Sequence, residues 1–200
     1  MQAEALADPA LFRSTHAALT FAFNATRATQ GLSVIGRLMG GPAPANRGLG
    51  GLDGAAQAGM IKAEIATLTP IIRGYIITAR FAMRGLPCDC RRSCCSGTKI
   101  NHEWADAIES IADMVRSGAL AGTVCNYTLR HIIVRRYFGV RSSLKAAAMA
   151  SSVNVDTASL HAARVIGYLR EQERLGFWEV EGRLKRAGIV ADHPSWCTAS

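Results

Sequence analysis

Aromatic residues are scarce in this chain, only 6% of its 200 residues, and acids are few, 15 Asp and Glu against 23 Lys and Arg. So few rings in an Ala-rich chain predict helices packed through small and aliphatic side chains. Long apolar runs are missing as well. The best candidate, "IATLTPIIRGYIITARFAM", is broken by Pro70, Arg73, Gly74 and Arg80, and a span needs roughly 18 or more consecutive apolar residues. The opening "MQAEALADPALFRSTHAALTFAFNATR" has no basic start leading into an unbroken apolar stretch, so it does not read as a secretory signal. These absences predict a cytoplasmic protein with no membrane partner, whose thiols stay reduced and form no disulfide framework. A phosphate-cradling G-x-x-x-x-G-K-[ST] motif is also lacking. Asp106, Glu109 and Asp113 read as the wet face of a helix and not as a catalytic carboxylate pair. No active site assembles from the residues, and the expectation is that the protein is not an enzyme.

What is present starts with charge and length. The chain is 49% hydrophobic and 19% charged, which fits a folded protein with one sizeable core or two small ones. Its formal net charge of +8 favours polyanionic partners such as nucleic acid or an anionic membrane surface. Asp8-Pro9 reads as a cap and first helical residue of a helix reaching about Ala28. Breakers fill residues 31–54, marking a linker or loop. A helical pattern resumes near Ala55 with Ile61, Ile65 and Leu68, and "PIIRGYIITARFAM" follows as a buried segment whose length favours helix. Asn101 caps the next helix, where Trp104, Ile108, Ile111 and Val115 share a face before Gly118. "YTLRHIIVRRYFG" is a further helix stopped by Gly139. A last helix, "FWEVEGRLKRAG", is expected after a break near Arg174. The predicted fold is mostly α: a helical protein with a C-terminal helix-turn-helix and a cysteine-rich loop.

The helix-turn-helix is read from "SSLKAAAMASSVNVDTASLHAARVIGYLREQE", residues 142–173. A short Ala-rich helix, a break at Ser151-Ser152-Val153-Asn154 and a helix from about Val155 match that pattern. Ala148 allows the two helices to approach, Val153 plugs the space between them, and Asn154 or Asp156 caps the second. Ala158, Ala162, Val165 and Leu169 form its inward stripe. The opposite side and its cap, Asn154, Asp156, Thr157, Ser159, Leu160, Ala163 and Arg164, is the candidate for contact with base edges of double-stranded DNA. Arg130, Arg135, Arg136, Arg141 and Lys145, with no acid between the first and the last, are the candidate phosphate contacts. A plain helical hairpin that packs against a protein partner is the competing reading of the same residues.

Four of the six cysteines fall within "LPCDCRRSCCSG". Cys88, Cys90, Cys94 and Cys95, with His102 beyond them, are candidate zinc ligands, because zinc takes four thiolate or imidazole donors and short loops supply them. Adjacent Cys94 and Cys95 do not comfortably bind one ion together, which favours Cys88, Cys90, one of that pair, and His102. Unligated reduced thiols fit equally well, and a thiol or metal enzyme is a weaker third reading. His16, His131, His161 and His193 are scattered and read as ordinary helix or loop residues.

The segment "CDCRRSCCSG…NHEWADAI" followed by "YFGVRSSLKAAAMASSVNVDTASLH" resembles phage and prophage regulators of the antitermination protein Q type. The likeness covers roughly residues 84–190. It implies a cysteine-bearing segment ahead of a DNA-binding helix-turn-helix, in a late-gene regulator that engages host RNA polymerase. The expected layout is a helical region over residues 1–85, a cysteine-rich loop over 86–101, a helical DNA-binding region over 102–190 with the helix-turn-helix at 142–170, and a tail over 191–200.

Overall fold

The computed structural model describes residues 11–30, 52–88, 90 and 97–191. The proposed Asp8-Pro9 cap, nearly all of the 31–54 stretch, Cys94, Cys95 and residues 192–200 lie outside them. The described residues are mostly helical: α1 (Thr15–Gln30), α2 (Leu52–Ala66), α3 (Ile72–Phe81), α4 (His102–Ser117), α5 (Tyr127–Tyr137), α6 (Leu144–Ala150) and α7 (Val155–Arg186). An antiparallel pair, β1 (Gly85–Pro87) and β2 (Thr98–Ile100), lies between α3 and α4. Two compact units divide the chain, one of Met1–Glu64 with Trp178–Ser200 and one of Ile65–Phe177. That division falls well before residue 85, and the C-terminal segment joins the first unit.

In the first unit, α1 starts at Thr15, six residues after Pro9, for two local reasons. The Ser14 hydroxyl accepts from the Ala17 N–H at 3.2 Å, which caps the helix there. Phe12 is meanwhile held extended by a parallel bridge to Val190, its N–H donating to the Ile189 carbonyl at 3.0 Å. Leu19 and Phe23 of α1, Ile61 of α2, and Val180 and Leu184 of α7 are buried in this unit, with Ile189 and Val190 after the last helix.

The second unit carries the candidate site. Helix α3 packs on α4, α4 on α5, and α5 on α6. Asn101 caps α4 by accepting from the Glu103 N–H at 3.1 Å, and Trp104, Ile108, Ile111 and Val115 are buried along one face. Asn126 caps α5 in the same way. At its other end Gly139 takes a φ of +82°, and the Gly139 and Val140 N–H groups return to the carbonyls of Arg136 and Arg135. Three helices of the unit are tied by one polar cluster. Arg80 of α3 grips Glu173 of α7 with two bonds, 2.6 and 2.8 Å, while the Tyr137 hydroxyl of α5 donates to the same carboxylate. Burial, and then the Glu173 contact, raises the Tyr137 phenol above its ordinary pKa, so it stays a donor.

One expected break is absent. Helix α7 runs without interruption over 32 residues, through Arg174 and Gly176. A Cβ on Gly176 would lie 3.0 Å from the Arg73 Cβ, so this glycine serves a close approach between helices and does not end one.

Candidate nucleic-acid interface

Helix α6 opens at Ser143, whose hydroxyl accepts from the Ala146 N–H at 3.3 Å. It closes in a paired return: the Ser152 N–H reaches the Met149 carbonyl at 3.1 Å and the Val153 N–H reaches Ala148 at 2.9 Å. This is the Schellman arrangement, which needs a left-handed residue just past the helix and an apolar one after it. Ser152 fills the first role with a φ of +53°, and Val153 fills the second, half-buried. Asn154 then caps α7, accepting from the Asp156 N–H at 2.7 Å. Ala147 and Ala148 of α6 and Ala158, Ala162, Val165 and Leu169 of α7 are buried, so the small residues face inward as their spacing predicts.

The outer face of the first turns of α7 is open. Asp156, Thr157, Ser159, Leu160, Ala163 and Arg164 are all exposed, and Asn154 is exposed beside them with its side-chain oxygen committed to the cap. The guanidinium of Arg164 approaches the Thr123 hydroxyl at 3.4 Å. On the preceding elements Arg135, Arg136, Arg141 and Lys145 are exposed, with one Arg136 nitrogen donating to the Ser142 carbonyl at 3.0 Å. Residues 131–155 include these four cations and no acid.

Arg130 does not belong with them. It is only 7% exposed, and its donors are spent inside the unit, Nε on the Ala112 carbonyl at 3.1 Å and a terminal nitrogen on the Cys125 carbonyl at 2.8 Å. Its guanidinium also lies over the Tyr127 ring, 5.6 Å from the centroid. A side chain committed in this way cannot reach a phosphate, so Arg130 is withdrawn from the contact set. The signal for this was available: Arg130 falls in the α5 stripe with Leu129, Ile133 and Val134, all buried.

His161 is a second residue that scattered placement undervalues. It is 3% exposed, within the inward stripe of α7, and its Nδ1 has no hydrogen-bond partner among the described residues. Burial, reinforced by the nearby Arg164 charge, lowers its pKa and keeps the ring neutral. Thr123 was not foreseen either; 41 residues separate it from Arg164, and no local pattern announces such a pair.

The cysteine segment sits on a hairpin. Its register pairs Pro87 with Thr98 and Gly85 with Ile100, and the Cys88 N–H continues the ladder to the Gly97 carbonyl at 2.9 Å. Strands of three residues are too short to show alternation, so the sequence gives little sign of them. The register also removes His102 from the proposed ligand set. Cys88 lies level with Gly97, five residues before His102, and Asn101 still pairs back to Arg84 at the opposite end of the hairpin. At about 3.3 Å per residue that separation exceeds what a Cys and a His bridging one ion allow. His102 is exposed at the start of α4. No group of three or more His, Cys, Asp or Glu suited to a metal ion occurs among the described residues. Cys125 is half-buried, and burial raises its thiol pKa, which works against a reactive thiolate there.

No protein-family model, curated protein or solved structure matches the chain. No helix among the described residues is long and apolar enough to cross a membrane.

Proposed function

We propose that this chain is a DNA-binding transcriptional regulator that reads a duplex with residues 154–164 of a helix-turn-helix and holds its backbone with Arg135, Arg136, Arg141 and Lys145. The observation that carries the reading is the sorting of α7 into two faces: Ala158, His161, Ala162 and Val165 buried, and Asp156, Thr157, Ser159, Leu160, Ala163 and Arg164 exposed directly after a capped four-residue turn. A helix presented in this way, next to an acid-free cationic stretch, combines polar base-edge donors and acceptors with phosphate charge. The resemblance to the antitermination Q type extends the proposal to a cytoplasmic late-gene regulator acting with host RNA polymerase. A zinc ion held by Cys88, Cys90 and one of the loop thiols Cys94 or Cys95 would need a fourth donor from elsewhere, would clamp the hairpin within this unit and would supply only structural rigidity.

Salt dependence tests the proposal. Four phosphate contacts predict a slope of log affinity against log salt of about −3.6, so raising salt from about 50 to 200 mM weakens binding about 100-fold. Arg135→Ala should lower the slope by about 1 on every duplex, while Arg164→Ala should weaken a selected sequence more than a random one. Absence of duplex binding at low salt rejects the proposal. The competing adaptor reading draws on exposed Met149 and Leu160, 71% and 52% accessible. It is favoured if a captured protein partner is indifferent to Arg135→Ala and Arg136→Ala.

A further inference from the structure

We infer that the exposed face of α7 recognises thymine through its C5-methyl group, with Leu160 as the reading side chain and Ala163 beside it. The inference rests on the DNA-binding reading above and goes beyond it by naming a base feature. Leu160 is 52% exposed on a face it shares with Asp156, Thr157, Ser159, Ala163 and Arg164, on a helix whose inner stripe is already filled by Ala158, Ala162 and Val165. Its helical neighbours at three and four residues are Thr157, Asp156, Ala163 and Arg164, every one exposed. A bare leucine whose neighbours, apart from Ala163, are a carboxylate, a hydroxyl and a guanidinium is poorly placed for docking into an apolar protein pocket. Burying it there would also desolvate both charges. In the major groove the arrangement is productive. The one apolar group that base edges present there is the thymine methyl, and the surrounding polar atoms find donors and acceptors on adjacent pairs. Charge favours the same occupant, since the preceding residues 131–155 carry Arg135, Arg136, Arg141 and Lys145 without an acid.

The test uses the full chain to select duplexes from a random-sequence library. The selected duplex is then resynthesised with deoxyuridine replacing each thymidine in turn, which deletes one methyl and leaves base pairing intact. Anisotropy titrations should show about fourfold weaker binding at one or two positions, the loss from one apolar contact of methyl size. Leu160→Ala, at an exposed position, should bind the thymine and uracil duplexes alike. Tight, salt-dependent binding that no uracil substitution changes overturns the inference and leaves the DNA-binding reading intact. Retained discrimination in Leu160→Ala also overturns it, because the methyl is then read elsewhere. If no duplex is enriched, the DNA-binding reading falls and takes this inference with it.

Discussion

Replacing Arg130 with Ala separates two explanations for a basic residue in a basic stretch. If the guanidinium served phosphate, its loss would weaken DNA binding and leave the fold alone. Its actual surroundings predict the reverse. Two charge-assisted bonds to the Ala112 and Cys125 carbonyls, at 3.1 and 2.8 Å, hold α4 to the start of α5. Each is worth about 1.5 kcal/mol or more when charge-assisted, so their loss sums to about 3 kcal/mol. Asp113 adds little: it lies 3.9 Å away and its side chain is 65% exposed, so the pair is largely screened. Relief from burying the guanidinium offsets part of the loss, leaving about 2–3 kcal/mol, or a melting temperature lower by about 5–10 °C.

Thermal unfolding by circular dichroism reads this directly, and anisotropy well below the melting range gives the affinity of the folded protein. Arg130→Ala should melt lower yet bind DNA within about twofold of the parent, with an unchanged salt slope. Arg130→Lys should lose most of the same stability, since one ammonium cannot span two carbonyls as the planar fork does. An unchanged melting temperature together with a salt slope reduced by about 1 would refute the buried role and return Arg130 to the phosphate contacts.

Three further outcomes follow from the same geometry. Ser152→Gly should raise stability by about 0.5–1 kcal/mol, a melting temperature higher by about 2 °C, because a left-handed backbone at φ +53° is strained for Ser; a lower one would contradict the cap. His161 is held neutral by burial, so its folded pKa lies below the ordinary 6.5 and its contribution is present above that value and lost as pH falls below it. His161→Gln should therefore flatten the decline in unfolding free energy between about pH 7 and 5.5, and an unaltered slope would locate the titrating group elsewhere. If metal analysis of the reduced protein finds zinc, it should be lost in Cys88→Ser and kept in His102→Ala; loss in His102→Ala would contradict the hairpin register.

Much of the fold was legible because its signals are local. Trp104, Ile108, Ile111 and Val115 advertise a one-sided helix, and Ser-Ser-Val-Asn between two Ala-rich runs advertises a capped turn. What escaped depends on partners distant in sequence. Gly176 looks like a helix stop until Arg73 is seen against it, and the three-residue strands exist only by pairing with each other. The candidate site divides the same way. Ser159, Leu160 and Arg164 can be assigned outward by counting from Ala158, since a helix with one buried stripe must expose the opposite one. Arg130 and Arg135 differ by five residues and carry the same charge, so composition cannot separate them; phase can, because Arg130 keeps step with Leu129, Ile133 and Val134 while Arg135 falls outside it. The phase of a cation relative to the apolar stripe is thus a better guide to its exposure than its membership of a basic run. By that rule Arg135 stays among the candidate phosphate contacts, and Arg130 belongs to the buried side of α5.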